Sequence, residues 1–296
     1  RNNSLNLLSL LFIFNLSKIK SILPKKKIKF KVIVFSKSGG IDDVIESQKK
    51  YNNANLYLVC PRIFLITVFR TIFDKQEYSH SDKFYSKKRM GKRIQYKEFL
   101  IKFLKILKKK YNFDSFIGFN FEFKEEIGMA EACKELKIPF LLLYKESVLS
   151  ETEIKYLIHF LKKINQKFNG YKVAVYSNYA KKILTESNYA NKNDIKVIGC
   201  PRLNESFAFK KIVPKNQILY YAIENERGLP NLFIKLYGNK IFEDLNVHKK
   251  YNSKFNWYFL HLKTLKILKK FALNNPEISI IIKVKTGQSF KKNLYS

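Results

Sequence analysis

Ile138-Pro139-Phe140-Leu141-Leu142-Leu143-Tyr144-Lys145-Glu146-Ser147 decides the fold class. Its apolar part has strand length, no polar face, and breaks at once into charged and hydroxyl groups. A strand that stays apolar without alternating is one covered on both faces, as in a parallel sheet flanked by helices. The form recurs along the chain. Strands are expected at Phe30–Phe35, Leu56–Cys60, Ser115–Asn120, Pro139–Tyr144, Lys172–Tyr176 and Ile195–Gly199, and later at Gln217–Ile223 and Ile278–Val284. Between them lie stretches of helical period. Lys97–Lys109 sets Leu100, Ile101, Leu104 and Leu107 on one face, and Lys124–Leu136 does the same with Ile127, Ala130 and Cys133. Ile154–Phe168 and Phe259–Leu273 repeat the scheme. Strands alternating with amphipathic helices predict an α/β fold with parallel sheets.

The order of these segments suggests three parts. Residues 1–27 read as an apolar and basic helical segment, in which Leu5–Leu16 is too short for the roughly 20 residues that span a bilayer. Residues 28–206 form a Rossmann-like domain, Phe207–Lys215 a linker, and residues 216–296 part of a second Rossmann-like domain. About 80 residues are few for an independent α/β unit, so the second domain is expected to be truncated. Asn225–Ser253 has little periodicity and reads as an insertion or a long loop.

Composition narrows the function classes. The 296 residues are 46% hydrophobic, with Phe 26 and Tyr 18, which excludes general disorder. Cys60, Cys133 and Cys200 are far apart and odd in number, so no disulfide framework follows and a cytoplasmic setting is expected. They share no metal-ligand spacing with His80, His159, His248 or His261, so no metal is predicted. The net charge of +33 points to anionic partners. It comes from 50 Lys and only 7 Arg, whereas readers of nucleic acid favour Arg for bidentate contacts. Nucleic acid is therefore not the expected main partner; anionic membranes, nucleotides or glycans fit better.

Candidate site residues sit where strands end, because ligands of open α/β sheets bind at the carboxyl ends. The first strand runs into Ser36-Lys37-Ser38-Gly39-Gly40 ahead of a helix start at Asp42-Asp43. Ser38, Gly39 and Gly40 make either a backbone nest for phosphate or an ordinary tight turn. Lys145 beside Glu146 places an ammonium and a general base near an acceptor hydroxyl, or forms a surface ion pair at a helix start. Ser177-Asn178 is a helix N-cap. In Gly199-Cys200-Pro201-Arg202-Leu203-Asn204, Gly199 allows close backbone approach and Pro201 stops the strand. Arg202 either holds a phosphate or ties two domains together. Glu224, Arg227 and Lys283 follow later strands, where Lys283 suits a diphosphate or a solvated edge.

These segments, in this order, resemble the GT-B glycosyltransferase-like proteins of surface and capsular polysaccharide synthesis, and the related CDP-glycerol glycerophosphotransferases. In that group a G-x-P-R-x-D run closes the first Rossmann domain; here it is Gly199–Asn204, with Asn204 where Asp is usual. Ile218–Ala222 resembles the first strand of the second domain. Ile281–Lys285 resembles an I-I-K-x-H strand, with Lys285 in place of His. The loop matching Tyr144–Ser147 carries a His base in the glycerophosphotransferases, and none stands here. The resemblance covers roughly residues 28–290. It implies two Rossmann-like domains facing a cleft, a nucleotide-activated donor on the second, and a glycan or lipid-linked acceptor on the first.

The expected function is sugar transfer from a nucleotide-sugar donor at the cytoplasmic face of the inner membrane, without a cofactor. Glu146 serves as base, Ser38, Gly39, Gly40 and Lys145 as the acceptor loop, and Gly199, Arg202, Glu224, Arg227 and Lys283 on the donor side. The alternatives are transfer of glycerol phosphate from a CDP-polyol donor, and a basic peripheral protein without turnover.

Overall fold

The structure, a computed structural model, describes residues 17–19, 30–37, 39–51, 55–73, 86–121, 123–145, 151–203, 216–222 and 257–284. The chain divides into two compact units, Arg1–Ala208 and Phe209–Ser296. The first is built on a seven-stranded sheet: β1 (Ser17–Ile19), β2 (Phe30–Phe35), β3 (Asn55–Cys60), β4 (Ser115–Gly118), β5 (Phe140–Tyr144), β6 (Lys172–Val175) and β7 (Ile195–Val197). Their order is β1-β3-β2-β4-β5-β6-β7. β2 to β7 are parallel, and β1 runs antiparallel on the outer edge of β3. This is a Rossmann-like α/β fold.

Among the described residues, six α-helices connect these strands: α1 (Gly40–Tyr51), α2 (Arg62–Ile72), α3 (Met90–Tyr111), α4 (Lys124–Glu135), α5 (Glu151–Ile164) and α6 (Asn178–Glu186). The chain leaves β2 for β3 on one side and returns to β4 on the other, so the winding direction reverses at β2. Right-handed crossovers then put α1 on one face of the sheet and α2 to α6 on the other. β2 carries the load of the core, with Val32 to Phe35 buried whichever face they point to. Aromatic rings fill the space beneath α2 and α3: Phe69 meets Tyr96 edge-on at 5.2 Å, and Phe35 meets Phe116 at 4.8 Å. β5 departs from the expected two-sided burial. Its odd positions, Leu141 and Leu143, are only half-buried while Phe140, Leu142 and Tyr144 are buried.

Several boundaries differ from the sequence reading. Residues 17–19, expected within a helical segment, pair as a strand with residues 57–59. α3 begins at Met90, seven residues before the expected Lys97, because its first turns face solvent and carry no apolar stripe. α2 had no sequence signal of its own. It is apolar on most sides, with Leu65, Val68 and Phe69 buried but Ile63 66% exposed, so its period is blurred. The strands β4, β6 and β7 stop one or two residues early, releasing their last residues to the carboxyl edge.

The second unit shows a parallel pair, β8 (Gln217–Ala222) and β9 (Ser279–Val284), joined through α7 (Trp257–Asn274). The expected linker Phe207–Lys215, the insertion Asn225–Ser253 and the apolar run Leu5–Leu16 lie outside the described residues. No helix among the described residues is long and apolar enough to cross a membrane.

Candidate functional site

The turn after β2 and the run after β7 meet at one buried carboxylate. Gly39 takes φ +77°, a left-handed conformation that only glycine adopts without strain, and so turns the chain from β2 into α1. Asp43, in the first turn of α1, is fully buried. It accepts a hydrogen bond from the Tyr176 hydroxyl at the end of β6 and one from the Arg202 backbone N–H at 3.3 Å. The Cys200 thiol donates to it at 3.8 Å, and Arg202 Nε forms an ion pair with it at 3.5 Å. Burial raises the Asp43 pKa above the usual carboxylate range, and the Arg202 N–H and guanidinium pull it partly back. The guanidinium covers the glycine turn so closely that a Cβ on Gly39 would lie 2.1 Å from Nη1. Arg202 is thus tied to α1 inside the first unit.

A second cluster lies at the same sheet edge, beside the reversal point at β2. Gly118 ends β4, and the next two backbone amides, Phe119 at 2.6 Å and Asn120 at 2.9 Å, donate to Oε2 of Glu126. A side chain at 118 would fill this cradle, since its Cβ would stand 2.9 Å from that oxygen. Glu126 is 1% exposed, and burial pushes its pKa up to about 7. Lys37, the two amides and Arg62 oppose that rise. Arg62, the first residue of α2, bonds to Glu125 and approaches Glu126 Oε1 at 3.7 Å. Arg62 Nε and Glu126 Oε1 are both buried and lack hydrogen-bond partners. The Phe123 ring lies 4.0 Å from the Arg62 guanidinium and 4.5 Å from the Lys37 ammonium. Cys60, fully buried at the end of β3, has its pKa raised by burial and by Glu126.

The sequence reading missed this cluster. Glu125 and Glu126 look like the acids that commonly open a helix beside its dipole. Both are buried, and it is the amides after β4, six and seven residues earlier in the chain, that receive one of them, Glu126.

Of the residues singled out from sequence, the fold brings Gly39, Gly40 and Arg202 together. A Cβ on Gly40 would strike the Phe119 ring at 2.5 Å, so this glycine also links the turn to the Glu126 cradle. Gly199 follows β7 at φ +72°. Lys145 follows β5 and is half-buried. Lys283 lies exposed on β9 in the second unit, 5.9 Å from the Tyr221 ring. Ser38, Glu146, Asn204, Glu224 and Arg227 lie outside the described residues. Among the described residues no group of three or more His, Cys, Asp or Glu is placed to hold a metal. A polar depression of about 340 Å³ lined by Lys97, Glu131, Lys134, Glu135 and Asn169 lies toward the end of α4, away from the carboxyl edge.

No protein-family model matches the sequence, and no curated protein matches it. Among solved structures, the UDP-N-acetylglucosamine 2-epimerase of Rickettsia bellii is similar, with a TM-score of 0.36 and 11% sequence identity. The match covers 88% of this chain and 70% of the epimerase.

Proposed function

We propose that the protein is a sugar-handling transferase of GT-B type, moving a sugar from a nucleotide-activated donor to a glycan or lipid-linked acceptor. The observation that supports this reading is the junction at Asp43. A left-handed glycine turn and a guanidinium from the far end of the sheet share the carboxyl edge, the place where open α/β sheets hold phosphorylated ligands. Glu146 takes the proton of the acceptor hydroxyl, whose oxygen attacks the anomeric carbon as the bond to the donor diphosphate breaks. Ser38, Gly39, Gly40 and Lys145 orient the acceptor. Gly199, Arg202, Glu224, Arg227 and Lys283 serve the donor, with cationic groups offsetting the charge on the departing diphosphate. The setting is the anionic face of the inner membrane.

Thermal shift of the full chain with UDP- and CDP-sugars, CDP-glycerol and heparin tests the reading. A saturable shift with one nucleotide-sugar is the expected result. A shift with CDP-glycerol alone moves the assignment to polyol-phosphate transfer, and salt-sensitive heparin binding alone overturns both. Where turnover is measurable, Glu146→Gln should lower it about 10²–10⁴-fold with nucleotide binding nearly unchanged. Full turnover in that variant removes Glu146 from the role of base.

A further inference from the structure

The polar depression of about 340 Å³ toward the end of α4 carries groups that the proposed chemistry does not use. Glu131, Lys134 and Glu135 stand at i, i+3 and i+4 on α4, so they share one face of that helix. Lys97 comes from α3 and is paired with Glu135 at 2.8 Å. Asn169 comes from the turn before β6, where its Oδ1 accepts from Lys134 Nζ at 3.1 Å. That turn is pinned on both sides: Phe168 N–H donates to Tyr189 O and Tyr171 N–H to Phe140 O, each at 2.7 Å. Gly170 is needed within it, since a Cβ there would stand 2.2 Å from Phe168 Cζ and 2.7 Å from Phe140 O. Two helices and a fixed turn therefore hold the lining in place.

This lining offers donors and acceptors side by side. Each ammonium has three N–H groups and spends one on the contact just given. Glu131 is half-buried and interacts through space with Arg93, Lys97 and Lys134, yet it hydrogen-bonds to none of the described residues. Its oxygens are therefore left to accept from a ligand. Two ammoniums stand against two carboxylates here, in a chain whose net charge is +33. An anion meets Glu131 and Glu135, and a cation meets Lys97 and Lys134, so neither is favoured. A hydroxyl both donates and accepts, and neighbouring hydroxyls on one ring match such a mixed lining. We propose that the depression holds a neutral, hydroxyl-rich sugar unit of a glycan chain. Its hydroxyls donate to Glu131 and accept from Lys97, Lys134 and the Asn169 amide. The volume is near the lower end for small-molecule sites, which suits one sugar unit rather than a whole nucleotide-sugar. Lying away from the carboxyl edge, the depression takes a part of the glycan that does not react. The inference rests on the proposed function only for the source of that glycan, the acceptor chain.

An array of neutral bacterial surface oligosaccharides, probed with the labelled full chain at low and high salt, tests this. High salt removes general adhesion of a cationic protein, so the specific signal is the one that survives it. The expected result is retention of one related group of neutral glycans at both salt concentrations. Glu131→Gln, which keeps the shape and loses the charge, should weaken that retention about tenfold. Asn169→Ala should weaken it in the same direction; if either variant does not fold by circular dichroism, Lys134→Met is read in its place. Heparin, the polyanion control, should bind the parent and Glu131→Gln alike and only at low salt. Failure to retain any neutral glycan at high salt, or equal retention by the variants, overturns the proposal. Thermal shift with nucleotide-sugars, run on the same proteins, keeps the two readings apart. Glycan retention without any nucleotide-sugar shift leaves this site standing and sinks the transferase reading. A nucleotide-sugar shift without glycan retention does the reverse.

Discussion

Glu126 carries a stability signature of its own. Its pKa is about 7 in the folded chain against an ordinary 4.5, so between those values the folded state holds a proton that the unfolded state releases. Stability from this group is full below about pH 4.5 and is lost as pH rises through about 7. Lys37, Arg62 and the Phe119 and Asn120 amides limit the loss by favouring the ionised form, while Glu125 is held by Arg62 and the buried Cys60 thiol stays neutral. Glu126→Gln keeps an oxygen for the Phe119 and Asn120 amides, so urea midpoints between pH 5.5 and 7.5 should fall less steeply than in the parent. Equal slopes would mean that another group titrates. Gly118 offers a steric test of the same cradle. Alanine there would put a Cβ 2.5 Å from Phe140 Cζ and 2.9 Å from Glu126 Oε2. The expected cost is about 1–3 kcal/mol, read as a lower urea midpoint at unchanged slope.

At the scale of elements, helix ends show how a glycine-poor chain stops its helices. Asn112, Asn165 and Asn188 take left-handed φ of 44°, 45° and 57° just past α3, α5 and α6. Asparagine tolerates that region better than most side chains. α4 ends with the less suited Lys137, at φ 55°. Its N–H donates to Lys134 O and the Ile138 N–H to Cys133 O, the paired bonds of a Schellman stop. α6 closes identically through Asn188 and Tyr189, after opening on Ser177, whose hydroxyl accepts from Ala180 N–H at 3.2 Å. Lys137→Gly removes the Cβ penalty while giving the unfolded chain more freedom. A net gain of up to about 1 kcal/mol is expected, visible as a higher thermal midpoint. A lower midpoint would show that the Lys137 side chain matters more than its backbone.

At the scale of the whole molecule, the net charge of +33 sets how the protein meets surfaces. Binding to vesicles containing anionic lipid should be strong at low salt and fall steeply as salt rises, with about 1 kcal/mol for each Lys close to the surface. Neutral vesicles should bind little. Equal binding to both, at every salt concentration, would count against electrostatic attachment. The charge says nothing of the fold, since lysines crowd the exposed side of α3 without interrupting its buried apolar positions.

What the sequence determined by itself was the alternation of parallel strands and helices, the N-cap at Ser177, and the glycine turn after β2. Each of these is encoded by residues within a few positions of one another, through period, capping and backbone freedom. The tertiary structure alone decided which charges are buried. Arg62 reaches Glu125 across 63 residues, Tyr176 reaches Asp43 across 133, and Arg202 reaches the same carboxylate across 159. No local pattern separates Asp42 from Asp43, or marks both opening acids of α4 as buried. Desolvation depends on what the sheet order brings alongside, and β2 gathers its partners at the carboxyl edge only after the chain has reversed its winding there.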